Sequence, residues 1–168
     1  MNAPVSILAG FLKDNPGAVV EDVAREHRVT PRQVVEALPA ELRKFAPGSA
    51  FVDAMTDIGC WGDVTLIVHT DDGIMEFGGP VPAGAVARGY YNVPGSKGFH
   101  GHLRHERCGG LAFLERPFMG RLSAAILFFN VEGGIMFKIF VGRDENRELK
   151  ADQLQKFRAL AERLCADA

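Results

Sequence analysis

Ser123-Ala-Ala-Ile-Leu-Phe-Phe-Asn130 is an apolar run, Glu132-Gly133-Gly134 a turn, and Ile135-Met-Phe-Lys-Ile-Phe-Val141 a second apolar run. Side chains alternate between the two faces of a strand. In the second run Ile135, Phe137, Ile139 and Val141 therefore face one way, and Met136, Lys138 and Phe140 the other. A four-residue connection (131–134) is too short for the crossover that parallel strands need, so the pair is antiparallel.

The same grammar extends upstream. Val64-Thr-Leu-Ile-Val-His69 alternates, Asp71-Asp72-Gly73 turns, and Ile74-Met-Glu-Phe77 returns. A Gly/Pro-rich connection over 78–84 precedes a short strand, Gly89-Tyr-Tyr-Asn-Val93, and the loop Pro94-Gly95-Ser96-Lys97-Gly98. Residues 98–108 then read as a strand, followed by 111–116 and a break over 117–120. Helical spacing appears at both ends of the chain. Ile7, Leu8, Phe11 and Leu12 mark one helix, and Val19, Val20, Val23 and Ala24 a second. Thr30-Pro31-Arg32-Gln33 forms a capping box that starts a third. Leu154, Phe157, Leu160, Ala161 and Leu164 give the last helix its apolar stripe. The expectation is one α+β domain over 1–168. It has an N-terminal helical cap (1–45), a large antiparallel sheet (46–149) and a C-terminal helix (150–168).

At 168 residues, with 47% hydrophobic and 24% charged side chains, the chain has the composition of a soluble globular domain. A formal net charge of −2 does not suit a general nucleic-acid or anionic-membrane binder. Cys60, Cys108 and Cys165 are widely spaced and form no CxxC, which argues against a zinc ribbon, a thioredoxin-type pair or covalent haem attachment. The opening residues have no basic region, and Lys13, Asp14 and Pro16 interrupt their apolar stretch, so no signal peptide is expected. No run approaches the ~20 apolar residues of a membrane span. The expected location is the cytoplasm.

Three of the five histidines, His100, His102 and His105, lie within Gly-Phe-His-Gly-His-Leu-Arg-His-Glu-Arg-Cys, residues 98–108. As one continuous strand this segment would place His100, His102 and Arg104 on a single face, with Leu103 and His105 on the other. Imidazoles, nearby phenylalanines and arginines suit a flat apolar ligand that carries a metal and carboxylates, such as haem. His100 and His102 also form a His-x-His pair that could chelate zinc or copper, given a further ligand.

Several segments, in their order and spacing, resemble the cytosolic haem-utilisation carriers of the HutX/ChuX family. They are His69-Thr70-Asp71, Gly101-His102-Leu103, Arg116-Pro117-Phe118-Met119-Gly120, Phe128-Phe129-Asn130 and Phe137-Lys138-Ile139-Phe140-Val141-Gly142-Arg143-Asp144. Asn15-Pro16-Gly17 and Val34-Val35-Glu36-Ala37-Leu38-Pro39 fit as well, and the likeness runs from about Val5 to Leu164. The resemblance implies a large antiparallel sheet flanked by helices, related to half of a double-length HemS/ChuS-type protein. It implies a homodimer that takes up haem b (iron protoporphyrin IX) as cargo inside a bacterial cell and hands it to an unidentified protein. It also implies that His69 and His102 contact the haem and are the candidate iron ligands, with Tyr90 and Tyr91 as tyrosine alternatives. His100 inherits no role.

Read from the residues, His102 is the leading ligand because Gly101 leaves its flank uncrowded, and Arg104 is a candidate for a haem propionate. Arg116, Arg121 and Lys97 are further cations to consider. A haem-degrading enzyme with an external reductant is the alternative, since no dinucleotide fingerprint is present. The three N-terminal helices also suggest a helix-turn-helix regulator. Residues 1–45, however, hold six basic side chains (Lys13, Arg25, Arg28, Arg32, Arg43, Lys44) and six acidic ones (Asp14, Glu21, Asp22, Glu26, Glu36, Glu41). That balance is poor for phosphate contact, and no nucleic-acid partner is expected.

Overall fold

The computed structural model describes residues 5–165; residues 1–4 of the expected cap and 166–168 of the C-terminal segment lie outside the described residues. Three helices open the chain: α1 (Val5–Asp14), α2 (Val20–His27) and α3 (Pro31–Glu36). The capping box at α3 is complete. The Thr30 hydroxyl accepts from the Gln33 N–H at 3.2 Å, and the Thr30 N–H donates to Gln33 Oε1 at 2.9 Å.

The large sheet contains β1 (Arg43–Pro47), β2 (Asp63–Thr70), β3 (Gly73–Pro80), β7 (Cys108–Phe118), β8 (Arg121–Asn130) and β9 (Ile135–Phe140). Its order is β1-β7-β8-β9-β2-β3, and every pairing is antiparallel. The stretch 123–141 lies at its centre, as alternation and the glycine turn predict. A second, three-stranded sheet is made of β4 (Ala85–Ala87), β5 (Tyr90–Val93) and β6 (Gly101–Leu103).

Alternation divides the core into two. Leu8, Leu12, Val20, Val23, Val34, Val35 and Leu38 of the cap bury Ala112, Leu114, Ala125, Leu127 and Phe129 on one face of the large sheet. The opposite face presents Leu66, Leu111, Phe113, Ile126, Phe128, Phe137 and Ile139. Against it pack α4 (Phe51–Ile58), α5 (Ala151–Cys165), and Tyr91 and Val93 of the small sheet. Phe51 makes edge contacts with Tyr91 at 5.5 Å, Phe128 at 5.4 Å and Phe137 at 6.1 Å, so one ring joins helix, small sheet and large sheet.

Two readings need correction. The segment expected to be sheet throughout contains α4, whose buried Phe51, Ala54, Met55 and Ile58 follow a helical i, i+3, i+4, i+7 period. Gly48, just before it, is pressed against β7: a Cβ there would lie 1.9 Å from the Cys108 carbonyl oxygen. The histidine segment is not one continuous strand either. Only Gly101–Leu103 is extended and paired, and His105–Arg107 form a 3₁₀ turn. Gly101 at φ +148° and the turn at Arg104 break the alternation, so its parity does not carry from His100 to His105.

The chain's most distinctive sequence run, ending Gly142-Arg143-Asp144, has a structural use. The Gly142 N–H donates to Gln153 Oε1 at 2.7 Å, and Gln153 Nε2 donates to the carbonyls of Trp61 and Asp63. Arg143 donates to the carbonyls of Leu122 and Arg147. Among the described residues no helix is long and apolar enough to cross a membrane.

Candidate functional site

The outward face of the small sheet brings together three of the residues singled out from the sequence: His102, Tyr90 and Arg104. In β5, Tyr91 and Val93 point into the core, so Tyr90 and Asn92 point away from it. The register places Asn92 between Ala85 on β4 and His102 on β6, and Ala87 beside Tyr90. His102 is exposed. Its ring meets that of Tyr90 edge-on at 6.0 Å, and the Arg104 guanidinium lies 5.5 Å from the centre of the same Tyr90 ring. A Cβ at Gly101 would meet nothing within 4 Å, so the flank of His102 is open.

Hydrogen bonds hold this face in register. His102 Nδ1 lies 2.6 Å from Asn92 Oδ1, while Asn92 Nδ2 lies 3.0–3.2 Å from the carbonyl oxygens of Ala85, Ala87 and Tyr90. Gly84 lets β4 approach: its N–H donates to the Tyr91 hydroxyl at 2.6 Å, and a Cβ there would fall 2.2 Å from the Asn92 carbonyl oxygen. Among the described residues Arg104 has no carboxylate within ion-pair distance. The face thus offers an imidazole, an aromatic ring and an unneutralised cation beside two alanine methyl groups. Such a set can ligate a metal while pairing with a ligand carboxylate.

His69 lies elsewhere. It shares its β2 face with Thr65 and Ile67, beneath the cap, whereas Val64, Leu66 and Val68 face the small-sheet side. His69 Nδ1 is 3.3 Å from Glu21 Oε1 of α2, and Lys138 Nζ of β9 is 2.5 Å from the same oxygen. Each of these side chains is only 11–12% exposed. A carboxylate removed from water in this way is tolerated because the Lys138 ammonium faces it. His69 and His102 therefore lie on opposite sides of the large sheet, and one chain does not bring them together around a single ligand.

The remaining candidates are dispersed. His100 Nδ1 is 3.0 Å from the Gly98 carbonyl oxygen, in the loop before β6. His105 packs 6.3 Å from the Phe51 ring, and His27 packs 5.3 Å from the Phe11 ring. Arg116 is not available to an exogenous carboxylate: it is buried and donates to the carbonyls of Pro16 at 2.6 Å and Ala18 at 2.8 Å. Burial lowers its pKa to about 10, opposed by the charge of Glu21, and it remains protonated at neutral pH. Arg121 faces Glu148 at 3.5 Å.

Among the described residues no group of three His, Cys, Asp or Glu side chains is placed to hold a metal ion, so the His-x-His pair gains no third ligand. Arg32 donates to the Gly109 carbonyl and to Glu36, and Gln33 closes the capping box. Asn92 is the site residue that sequence reasoning missed. Its signal was the short Tyr-Tyr-Asn-Val strand, but its partnership depends on the β5–β6 register.

Comparison with known proteins agrees with this fold. A family model described as haem utilisation ChuX/HutX matches residues 44–160. The intracellular heme transport protein HutX of Vibrio cholerae serotype O1 is 39% identical over 154 residues, covering 91% of this chain and 80% of that protein. The solved structure of the heme binding protein ChuX is 41% identical with a TM-score of 0.85, covering 94% of this chain and 98% of that one. Holo-PhuS, a heme-binding protein from Pseudomonas aeruginosa, is 15% identical with a TM-score of 0.77. That match covers 98% of this chain and 48% of PhuS, a likeness of fold in a chain about twice as long.

Proposed function

The chain belongs to the haem-utilisation ChuX/HutX family, and from that premise we propose that it is an intracellular haem carrier that binds haem b as cargo and hands it on. The observation that carries the assignment to a site is the cluster on the small sheet: exposed His102, with Tyr90 and Arg104 beside it and an open flank at Gly101. In this reading His102 ligates the iron, Arg104 pairs with a propionate, and Tyr90 borders the porphyrin. His69 is the weaker candidate, because its largely buried ring faces the Glu21–Lys138 pair. A single protein ligand on an exposed face suits a carrier, which must release what it binds.

Hemin titration of the apo protein tests this reading, followed by ascorbate under air in the presence of catalase. The expected result is a saturable Soret band that persists through the ascorbate step. Bleaching of the band would move the assignment to a haem-degrading enzyme, and absence of saturable binding would contradict both.

The reading includes a homodimer. Strand β3 forms one edge of the large sheet and exposes Met75 and Phe77 on one face and Ile74 on the other, an apolar edge that a second copy can cover. The twofold length of PhuS, which shares the fold, is consistent with a paired arrangement. Sedimentation equilibrium is expected to give twice the chain mass, and Met75→Lys with Phe77→Lys to give a monomer. A wild-type monomer at all concentrations would contradict this part.

A further inference from the structure

We infer that Asn92 is a positioning residue that fixes the tautomer of His102 and thereby presents Nε2 to the iron. The inference rests on the assignment of His102 as ligand. Its starting point is the orientation of the Asn92 amide. Nδ2 lies 3.0–3.2 Å from three carbonyl oxygens, those of Ala85, Ala87 and Tyr90. Only an NH₂ group can face them, because a flipped amide would set Oδ1 against three acceptors. Oδ1 must then be the atom 2.6 Å from His102 Nδ1, and a carbonyl oxygen can only accept.

In neutral His102 the proton therefore sits on Nδ1, and the lone pair is on Nε2. Free histidine favours the opposite tautomer, with the proton on Nε2, where it would block a metal. The β4–β5 carbonyls thus orient the amide, and the amide orients and polarises the imidazole. A hydrogen-bond acceptor on the far nitrogen fixes the orientation of a histidine ligand and raises its basicity. This arrangement also gives the small sheet a purpose: the Ala85, Ala87 and Tyr90 carbonyls serve as the frame for one side chain.

The test has one arm without haem and one with it. Two-bond ¹H–¹⁵N correlation spectra of the apo protein, at a pH where its imidazoles are neutral, are expected to show His102 with its proton on Nδ1. In Asn92→Leu the proton is expected to move to Nε2, and hemin is expected to bind about 10–100-fold more weakly. Asn92→Asp keeps an acceptor for Nδ1–H but has no donor for the three carbonyls. It is expected to restore the tautomer and most of the affinity, and to lower the reduction potential of the bound iron below wild type. A purely structural Asn92 would instead make the Asp and Leu variants equally poor. Either that equality or a wild-type His102 protonated on Nε2 overturns the inference. Hemin binding to His102→Ala at wild-type strength overturns the ligand assignment beneath it, an outcome the apo spectra distinguish because they need no haem.

Discussion

Replacement of His102 by alanine is expected to remove the saturable Soret band that hemin gives with the wild-type protein. His102 is the exposed imidazole that stands beside both an unneutralised cation and an aromatic ring, with open space over Gly101. Without it, hemin would keep only apolar contact and the Arg104–propionate pair. An exposed pair of that kind is worth about 1 kcal/mol or less. The loss of affinity should therefore exceed the roughly 10–100-fold typical of losing a hydrogen-bond partner of a ligating histidine. His69→Ala provides the contrast. It leaves Glu21 paired with Lys138, and it is expected to retain the Soret band. A spectrophotometric titration of the two variants beside wild type checks both expectations.

The largest effect on stability is expected from Phe51→Ala. Phe51 is 1% exposed and its ring touches Tyr91, Phe128 and Phe137. Truncating a buried phenylalanine typically costs about 3–5 kcal/mol, through lost transfer free energy and the cavity left behind. For a chain of this size that corresponds to a fall in Tm of roughly 6–20 °C. Urea unfolding monitored by circular dichroism reads the effect directly. Because Phe51 also anchors Tyr91, the residue behind the Tyr90–Asn92 face, the variant is expected to bind hemin more weakly even where it is folded. A change below about 1 kcal/mol would contradict the role given to this ring.

Legibility in the sequence followed the range of the interactions. The central strands over 123–141 could be read because alternation is written into neighbouring residues, and the α3 cap because Thr30 and Gln33 are three apart. Helix α4 has an equally regular pattern in Phe51, Ala54, Met55 and Ile58, but it lies within a segment whose surroundings alternate. Long-range polar contacts left no local trace. Arg116 looked like a free cation, and only the fold reveals that it holds the Asn15-Pro16-Gly17 turn through carbonyls 98 and 100 residues away. Gln153 looked like one polar residue of a helix, yet it is 1% exposed and ties α5 to Trp61 and Asp63. The parity of β2 separated His69 from Val68, but it could not reveal that Glu21 of α2 would cover the imidazole.

The site was legible in part. Motif resemblance singled out His102 and His69 and kept Tyr90 and Tyr91 as alternatives, and local strand reading brought Arg104 into consideration. Only the register of three short strands assembles His102, Tyr90 and Arg104 and leaves His69 behind. Asn92 escaped because an asparagine in a strand is unremarkable until its amide is seen against three carbonyls.

The most direct measurement is an iron anomalous difference map from crystals of the hemin complex. The account predicts one peak per bound hemin, within bonding distance of His102 Nε2, with a propionate beside Arg104 and His69 still facing Glu21. An iron peak against His69, with His102 left free, would contradict it.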